Sequence, residues 1–305
     1  MLETHRQQVT MSSSSALPRL VLIHGLHSSP REFSLLERVL TSRQVEFECL
    51  EIPGYTVGAA APRLDWRDWV HSAKAALNAR YASTEALVLA GLCVGGAIAA
   101  SLARDDDRIC GLVMMSPTFA YDGWSITRWM KLRAIAYRTG IDRWISVRER
   151  EPYGIKDPKM RRRVQEELAG GELSSIGPMR LPLRAIRETE RLYAASVSWL
   201  SGLRIPLLVM HARDDEISTV SSVRHVVGRC GPLARLMILE DSFHMITIDK
   251  DRQRVAHALA DFIGAPCAEA AVPPSDRMRL ARAARAHRFT TSPSTDTEDR
   301  ANDNL

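Results

Sequence analysis

The sequence A-L-V-L-A-G-L-C-V-G-G-A-I-A-A, residues 86–100, decides the fold because it joins two local patterns. Its apolar start predicts a buried strand, and its later small residues, at helical spacing, predict a helix. Between them stands G-x-C-x-G-G, in which Gly91 and Gly95 lack Cβ atoms and let a strand and a helix pass close together. Cys93 is then the apex of a sharp strand-to-helix turn, which is the arrangement of a nucleophile elbow.

A cysteine at this apex would face the N-terminus of the following helix. The partial positive charge at a helix N-terminus favours an anion, so this position favours the thiolate form of Cys93. The alternative interpretation is a small buried cysteine at the end of a strand. Short glycine patterns recur by chance, so the motif alone does not distinguish a reactive cysteine from a buried one. The rest of the chain has to decide between these two interpretations.

The composition is that of a globular protein with a large core. The chain has 305 residues, 45% hydrophobic and 25% charged, which suits one sizeable domain with room for an inserted subdomain. No apolar run approaches the roughly 20 residues that an integral membrane segment needs, and Met1–Ala16 lacks the apolar core of a secretory signal. A net charge of +5 without an aromatic-interleaved basic motif argues against nucleic acid as a partner.

The cysteine pattern argues against a disulfide framework or a zinc site. There are five cysteines, an odd number, and none forms a C-x-x-C pair. We therefore expect no metal, no cofactor and a cytoplasmic location. Four of the five lack a helix-start context and are interpreted as inert: Cys49, Cys110, Cys230 and Cys267.

Strand-like and helix-like segments alternate along most of the chain, which predicts an α/β fold with a mostly parallel, doubly wound sheet. Ligands in such sheets bind beyond the carboxyl ends of the strands, where His24, Cys93 and Ser116 all fall. Besides the elbow, the predicted strands are 19–24, 45–52, 111–115, 204–211 and 236–239, and the predicted helices are 31–40, 66–81 and 254–263.

Between residues 120 and 202 the strand signals disappear and tryptophans alternate with arginines. This predicts a helical cap insertion into a core formed by residues 19–119 and 203–264, flanked by a flexible leader (1–18) and a disordered tail (265–305). The favoured interpretation is a solvated helix face with arginines in water and aromatic residues lining an acyl pocket. A membrane-surface patch and a dock for an acidic carrier protein are the alternatives.

Four motifs together resemble the α/β-hydrolase superfamily: H-G-L at 24–26, the elbow, A-R-D-D-E-I at 212–217 and S-F-H-M-I-T-I-D at 242–249. The resemblance covers about residues 19–263 and is nearest to the carboxylesterase and monoacylglycerol lipase branch. It departs at the elbow, where that branch carries serine. The G-x-C-x-G-G form resembles the elbows of dienelactone hydrolases and polyhydroxyalkanoate synthases, which use cysteine.

The resemblance implies a triad in the chain order nucleophile, acid, histidine. Cys93 would be the nucleophile, His244 the general base, and Asp215 the acid that orients the imidazole. Asp215 is favoured because Ile217 supplies the branched apolar residue that commonly follows the acid in this family. The alternatives for the acid are Asp214 and Asp122.

The H-G-x loop of the family implies an oxyanion hole. One backbone N–H would belong to Leu26 and the second to Val94, the residue after the nucleophile, and Gly25 belongs to the same substrate-binding loop. His24 is expected to hold this loop, and His211 to be a strand-end histidine with a local partner. The alternative interpretation of the loop is a simple glycine turn after a strand.

These residues predict hydrolysis of a small-molecule carboxylic ester or thioester through an acyl-cysteine intermediate. Because a thiolate is a better leaving group than an unactivated alkoxide, thioesters, lactones and aryl esters should react better than plain lipid esters. An acyltransferase is the alternative, with an acidic acyl carrier protein as a candidate donor at the arginine-rich cap. A third hypothesis is a non-catalytic binding protein on a hydrolase scaffold.

Overall fold

The computed structural model describes residues 17–58, 65–81, 85–127, 130, 132–171, 173–174 and 176–270. The chain divides into two units, Met1–Cys267 and Ala268–Leu305, and the candidate site lies in the first. Most of the predicted leader and the part of the predicted tail beyond residue 270 fall outside the described residues.

The strands, in chain order, are β1 (Arg19–Ile23), β2 (Phe47–Cys49), β3 (Leu87–Leu92), β4 (Ile109–Met115), β5 (Ser146–Arg148), β6 (Leu173–Ser174), β7 (Gly177–Pro178), β8 (Arg180–Pro182), β9 (Leu207–Ala212) and β10 (Ala234–Leu239). Six of them form one sheet in the order β10-β9-β4-β3-β1-β2, and every neighbouring pair is parallel. Strands β3, β4 and β9 are buried along their whole length, which explains their continuous apolar runs. The predicted parallel α/β sheet is confirmed.

The helices are α1 (Glu37–Ser42), α2 (Trp66–Arg80), α3 (Val94–Arg104), α4 (Arg133–Thr139), α5 (Pro158–Gly170), α6 (Leu183–Gly202), α7 (Val220–Val227) and α8 (Arg252–Ala270). The single helix predicted at 31–40 is instead a 3-10 turn, Pro30–Phe33, followed by α1. The turn carries the Glu32 side chain inward, where its carboxylate accepts the N–H of Gly25. Short 3-10 segments of this kind are common connectors.

Helix α8 corrects the predicted boundary of the tail. It continues to Ala270, so residues 265–270 are helical rather than disordered. The apolar positions of its first part, Val255, Leu259 and Ile263, are buried, and the helix simply extends beyond them. The sequence gives little indication of this extension, because A-P-C-A-E-A has no apolar periodicity.

The insertion between β4 and β9 is mainly helical but also contains strands that were not predicted. Strands β5 and β8 form one antiparallel pair, and β6 and β7 form another. Each has only two or three residues, too few for a period-2 pattern to be visible in the sequence. Helix α6 lies against α3 and places Leu192, Tyr193 and Leu200 in the main hydrophobic core.

Within the described residues, no helix is both long enough and apolar enough to cross a membrane.

Candidate active site

The turn between β3 and α3 has the strained geometry that the glycines of the motif predict. Cys93 has φ 50° and ψ −122°, a conformation that residues with a side chain rarely adopt. A Cβ on Gly91 would lie 2.1 Å from the backbone carbon of Gly95, and one on Gly95 would lie 2.2 Å from the carbonyl oxygen of Ile23. Only glycine fits at either position, and α3 begins at Val94 with its N-terminus next to Cys93.

The Cys93 residue is held from two directions. Its Sγ lies 3.5 Å from the hydroxyl oxygen of Thr118, which follows β4. Its carbonyl oxygen accepts a hydrogen bond of 2.5 Å from the hydroxyl of Tyr193 on α6. The insertion therefore touches the elbow directly, through one buried tyrosine.

The loops after β9 and β10 bring Asp215 and His244 together. The imidazole Nδ1 donates to Oδ2 of Asp215 at 2.8 Å, and both side chains are buried. The other oxygen, Oδ1, accepts the backbone N–H groups of Ile217 at 2.9 Å and Ser218 at 3.0 Å. Three donors thus fix the carboxylate, which in turn fixes the tautomer and plane of the ring.

The charges around His244 favour its protonated form. Burial by itself lowers the pKa of His244, but the charges of Asp215 and Cys93 and the hydrogen bond that the ring donates to Asp215 outweigh it. The pKa of His244 is consequently raised well above 6.5. The imidazolium is therefore the favoured form of this ring beside Asp215 and Cys93.

The alternative acids lie elsewhere. Asp214 is half-exposed and forms an ion pair of 2.9 Å with Lys156. Asp122 accepts the backbone N–H and the hydroxyl of Thr219, both at 2.8 Å, just before α7 begins. Among the three candidates, only Asp215 contacts the ring of His244.

The loop after β1 supplies N–H groups near the elbow. None of the described residues accepts a hydrogen bond from the N–H of Leu26 or of Val94, so both are free to bind a ligand. The N–H of Gly25 differs, because it donates to Oε2 of Glu32 at 2.7 Å. Gly25 therefore shapes the loop and offers no donor of its own.

Two buried carboxyl groups, which sequence reasoning missed, hold the backbone of this site. Glu32 binds the N–H of Gly25, and Glu216 accepts the N–H of His244 at 3.1 Å. Burial, opposed by the nearby His244, raises the pKa of each to about 7. Neither role has a sequence signal, because the partners stand at unrelated positions in the chain. Among the described residues, His, Cys, Asp and Glu form no cluster of three that could hold a metal.

The loop that carries His244 is tied to the insertion by one buried carboxylate. Asp249 accepts the N–H groups of Lys156, Asp157 and Phe243 at 2.7–2.8 Å. Burial of Asp249 is complete, so these bonds have no competing water. The position of His244 therefore depends on a contact with the insertion as well as on the sheet.

The two other histidines near the site have structural partners. The Nε2 of His24 contacts the hydroxyl of Thr56 at 2.7 Å, and its ring stacks on Tyr55. The Nε2 of His211 donates to the carbonyl oxygen of Ser218 at 2.8 Å and lies 3.7 Å from Asp215. Burial lowers the pKa of both, so each is neutral at pH 7.

A cavity of about 320 Å³ lies beside the elbow. Thr118, which lies against the Cys93 sulfur, and Tyr193, which donates to the Cys93 carbonyl, form one side of it, and Phe119 stacks edge-on against Tyr193. An ion pair of 2.7 Å between Arg133 and Glu190 also lines it. Its volume lies at the lower end of the range for small-molecule sites.

Comparisons with known proteins agree with this fold. Residues 15–251 match the family Hydrolase_4, described as serine aminopeptidase, S33. No curated protein matches the chain at a significant level. The family description names a serine enzyme, whereas this chain carries cysteine at the apex of the elbow.

Several solved structures share the fold at low sequence identity. A monoacylglycerol lipase from Paleococcus ferrophilus has 16% identity and a TM-score of 0.64, over 81% of this chain and 95% of that one. A soluble variant of monoglyceride lipase from Saccharomyces cerevisiae has 17% identity and a TM-score of 0.66, over 83% and 87%. A putative aryl esterase from Burkholderia cenocepacia has 17% identity and a TM-score of 0.57, over 83% and 92%.

Proposed function

Because the chain belongs to the Hydrolase_4 family of α/β hydrolases, we propose that it hydrolyses carboxylic esters or thioesters through an acyl-cysteine intermediate on Cys93. One observation carries this proposal: Nδ1 of His244 donates to the buried carboxylate of Asp215, and Cys93 lies near enough for its charge to raise the pKa of the same ring. The strained backbone of Cys93, held by two glycines, is a second support, because such strain clusters at functional sites.

The proposed acylation starts from a thiolate and an imidazolium. The sulfur of Cys93 attacks the carbonyl carbon, and the carbonyl oxygen becomes an oxyanion that the N–H groups of Leu26 and Val94 bind. When the intermediate collapses, the bond to the leaving group breaks and His244 gives that group its proton. The product stays on the enzyme as a thioester.

Deacylation repeats these steps with water as the nucleophile. His244, now neutral, takes a proton from water, and the hydroxide attacks the thioester carbonyl at the same oxyanion site. Collapse releases the carboxylic acid and returns the thiolate of Cys93 beside the imidazolium of His244. Asp215 keeps the ring in place throughout and stabilises its charged form.

The cysteine predicts the class of substrate. In the tetrahedral intermediate the thiolate and the leaving group compete for expulsion, and a thiolate leaves more easily than an unactivated alkoxide. Thioesters and aryl esters should therefore turn over, whereas plain alkyl esters should return to substrate. The cavity beside Thr118 and Tyr193 is the place we propose for the acyl group.

Intact mass spectrometry tests the proposal. The protein is mixed with short-chain and medium-chain acyl thioesters and with aryl and alkyl esters, and an acyl adduct is sought. We expect an adduct on wild-type protein and none on Cys93→Ala. Cys110→Ala is the matched control, since Cys110 is a buried cysteine on β4 that hydrogen-bonds the carbonyl of Leu87. Turnover that survives in Cys93→Ala would refute the assignment.

Hydrolysis is the only reaction we propose. Transfer to another acceptor, and an acyl carrier protein as the donor, remain predictions from the sequence, and nothing in the site favours them. A binding protein without activity is a poorer fit, because it needs neither a strained elbow nor a buried pair between His244 and Asp215.

A further inference from the structure

One surface of the insertion keeps apolar side chains in water. Isolated exposed apolar residues are normal, but five large ones lie within fourteen positions of the sequence, and a concentration of exposed apolar side chains marks an interaction site. Trp144 is 84% exposed and Ile135 is 60% exposed. We call this patch the 132–145 face; its members are Leu132, Ile135, Ile141, Trp144 and Ile145.

Local helix geometry groups these side chains. Helix α4 buries Ala136 against α6, and residues three apart on a helix share a side, so Leu132 and Ile135 point outward together. The following 3-10 helix, Ile141–Arg143, is capped at its C-terminus by Trp144. Side chains three apart in a 3-10 helix eclipse, which places Ile141 and Trp144 one above the other.

Within residues 132–149, the exposed charged side chains are all arginines. Arg138, Arg143 and Arg148 are exposed, and no carboxylate in the described part of the chain pairs with them. The two acids of this stretch turn inward, since Asp142 is buried against Arg187 and Glu149 is half-buried. The whole insertion, residues 120–202, has sixteen Lys and Arg against ten Asp and Glu.

We propose that the 132–145 face docks on an anionic lipid surface. Tryptophan and isoleucine side chains enter the boundary between headgroups and acyl chains, and arginines bind lipid phosphates. A second copy of this chain would bring arginines against arginines. An acidic carrier protein would pair with the arginines but leave the indole of Trp144 without an apolar partner.

The same helix connects this face with the cavity. Arg133, at the start of α4, lines the cavity beside Cys93, while Leu132 and Ile135 of the same turn face outward. Docking would therefore place a wall of the cavity against the lipid surface. Since no described helix spans a membrane, the binding would be peripheral.

Flotation with vesicles tests the proposal on the full chain. Vesicles of phosphatidylcholine alone are compared with vesicles that also contain phosphatidylglycerol, at low and at high salt. We expect wild-type protein to float with the anionic vesicles and to lose most of this binding at high salt. Trp144→Ser should weaken the partitioning about ten-fold or more. The double variant Arg138→Gln/Arg143→Gln should weaken it about five-fold for each charge removed.

The control is Trp124→Ser. Trp124 is also exposed and lies in the insertion, but it packs edge-on against Phe243 and lies outside the 132–145 face. This variant should bind vesicles as the wild type does. Cys93→Ala should also bind normally, so the docking test is independent of the proposed chemistry.

A second readout follows the indole itself. Brominated lipids quench tryptophan fluorescence only at membrane depth, so they should quench wild-type protein and have less effect on Trp144→Phe. Binding that is equal in the wild type and in Trp144→Ser would overturn the proposal. So would a self-association that Trp144→Ser abolishes, or binding to an acidic carrier protein with no binding to vesicles.

Discussion

The elbow and the insertion meet at Cys93, but most of the insertion is packed less closely than the elbow. At the elbow, backbone approaches backbone so closely that Gly91 and Gly95 admit no Cβ. The insertion also approaches backbone closely where it meets the loop after β9, since a Cβ on Gly123 would lie 2.2 Å from the carbonyl oxygen of Glu216, but Gly170 and Gly171 have open space around them and large apolar side chains are exposed. Local sterics determine the first region, whereas a few long-range polar contacts and one core-packed helix attach the second.

The difference in packing fits two different requirements, which are to hold a strained residue in place and to present a surface for binding. A residue with a strained backbone, such as Cys93, persists only where its surroundings hold it in place, and the fully buried strands β3 and β4 do so. A region that meets substrate or a surface can keep fewer constraints and more exposed apolar area. We therefore expect substitutions at the elbow to act on folding, and comparable substitutions in the insertion to act on binding.

The largest expected effect comes from Gly91→Ala or Gly95→Ala. Each added methyl group would meet backbone atoms at 2.1–2.2 Å, and backbone cannot move aside as a side chain can. We expect either variant to lose at least about 4 kcal/mol of unfolding free energy or to fail to fold. Urea denaturation measures this. Gly170→Ala on α5, with nothing within 4 Å, should stay within about 0.5 kcal/mol of wild type.

The measured stabilities of these variants compare the packing of the elbow with that of the insertion. A tolerated Gly91→Ala would mean that the elbow can open, and the steric account of Cys93 would be wrong. A destabilised Gly170→Ala would mean that the insertion is packed as tightly as the core.

The sequence predicted what local physics determines. Apolar runs and glycines gave the six parallel strands and the position of the elbow, because burial on both faces leaves a direct mark on composition. The closeness of Asp215 and His244 followed from the family resemblance and from the edge of the sheet at which both loops lie.

The features that the sequence did not predict depend on long-range side-chain contacts, which leave no recognisable pattern in the sequence. Glu32, Glu216 and Asp249 bind backbone N–H groups at distant positions, and any acidic residue in a loop looks the same in sequence. Tyr193 resembles an ordinary core residue of α6, although its hydroxyl contacts the carbonyl of Cys93. The helical prediction for the insertion missed β5 to β8 because hydrogen bonding across space, not periodicity, defines such short strands.

Asp249→Asn tests the polar connection between the insertion and the loop of His244. The carboxylate of Asp249 is fully buried and accepts several backbone N–H groups. The side-chain NH2 of asparagine is itself a donor, so it would face these N–H groups without an acceptor. We expect a loss of about 3 kcal/mol in thermal or urea unfolding. Asp157→Asn is the control in the insertion. Asp157 caps α5, where asparagine serves nearly as well, so its effect should be a few tenths of a kcal/mol.

The pH dependence of stability should be smaller in Glu216→Gln than in wild type. Burial raises the pKa of Glu216 from 4.5 to about 7, so between these values the folded state holds a proton that the unfolded state has lost. Stability contributed by this group therefore falls as pH rises from 4.5 to 7 and stays low above. The glutamine variant should gain about 2–3 kcal/mol relative to wild type across this window.

Unfolding midpoints at pH 5 and pH 8 measure this difference. Glu46→Gln is the control, because Glu46 is exposed and pairs with Arg19 on the surface. An equal slope in wild type and Glu216→Gln would show that Glu216 is ionised in the folded protein at pH 5, against the burial argument.

The smallest expected effects come from two substitutions, one in the core and one in the insertion, that remove a contact with Cys93. Thr118, from the core, contacts the sulfur, whereas Tyr193, from the insertion, contacts only the carbonyl oxygen. Thr118→Val should slow alkylation of Cys93 by iodoacetamide several-fold, because the hydroxyl can donate to the thiolate. Tyr193→Phe should cost about 1 kcal/mol of stability but change the alkylation rate less than Thr118→Val does. The reverse ranking would mean that the insertion, rather than the sheet, positions the thiol.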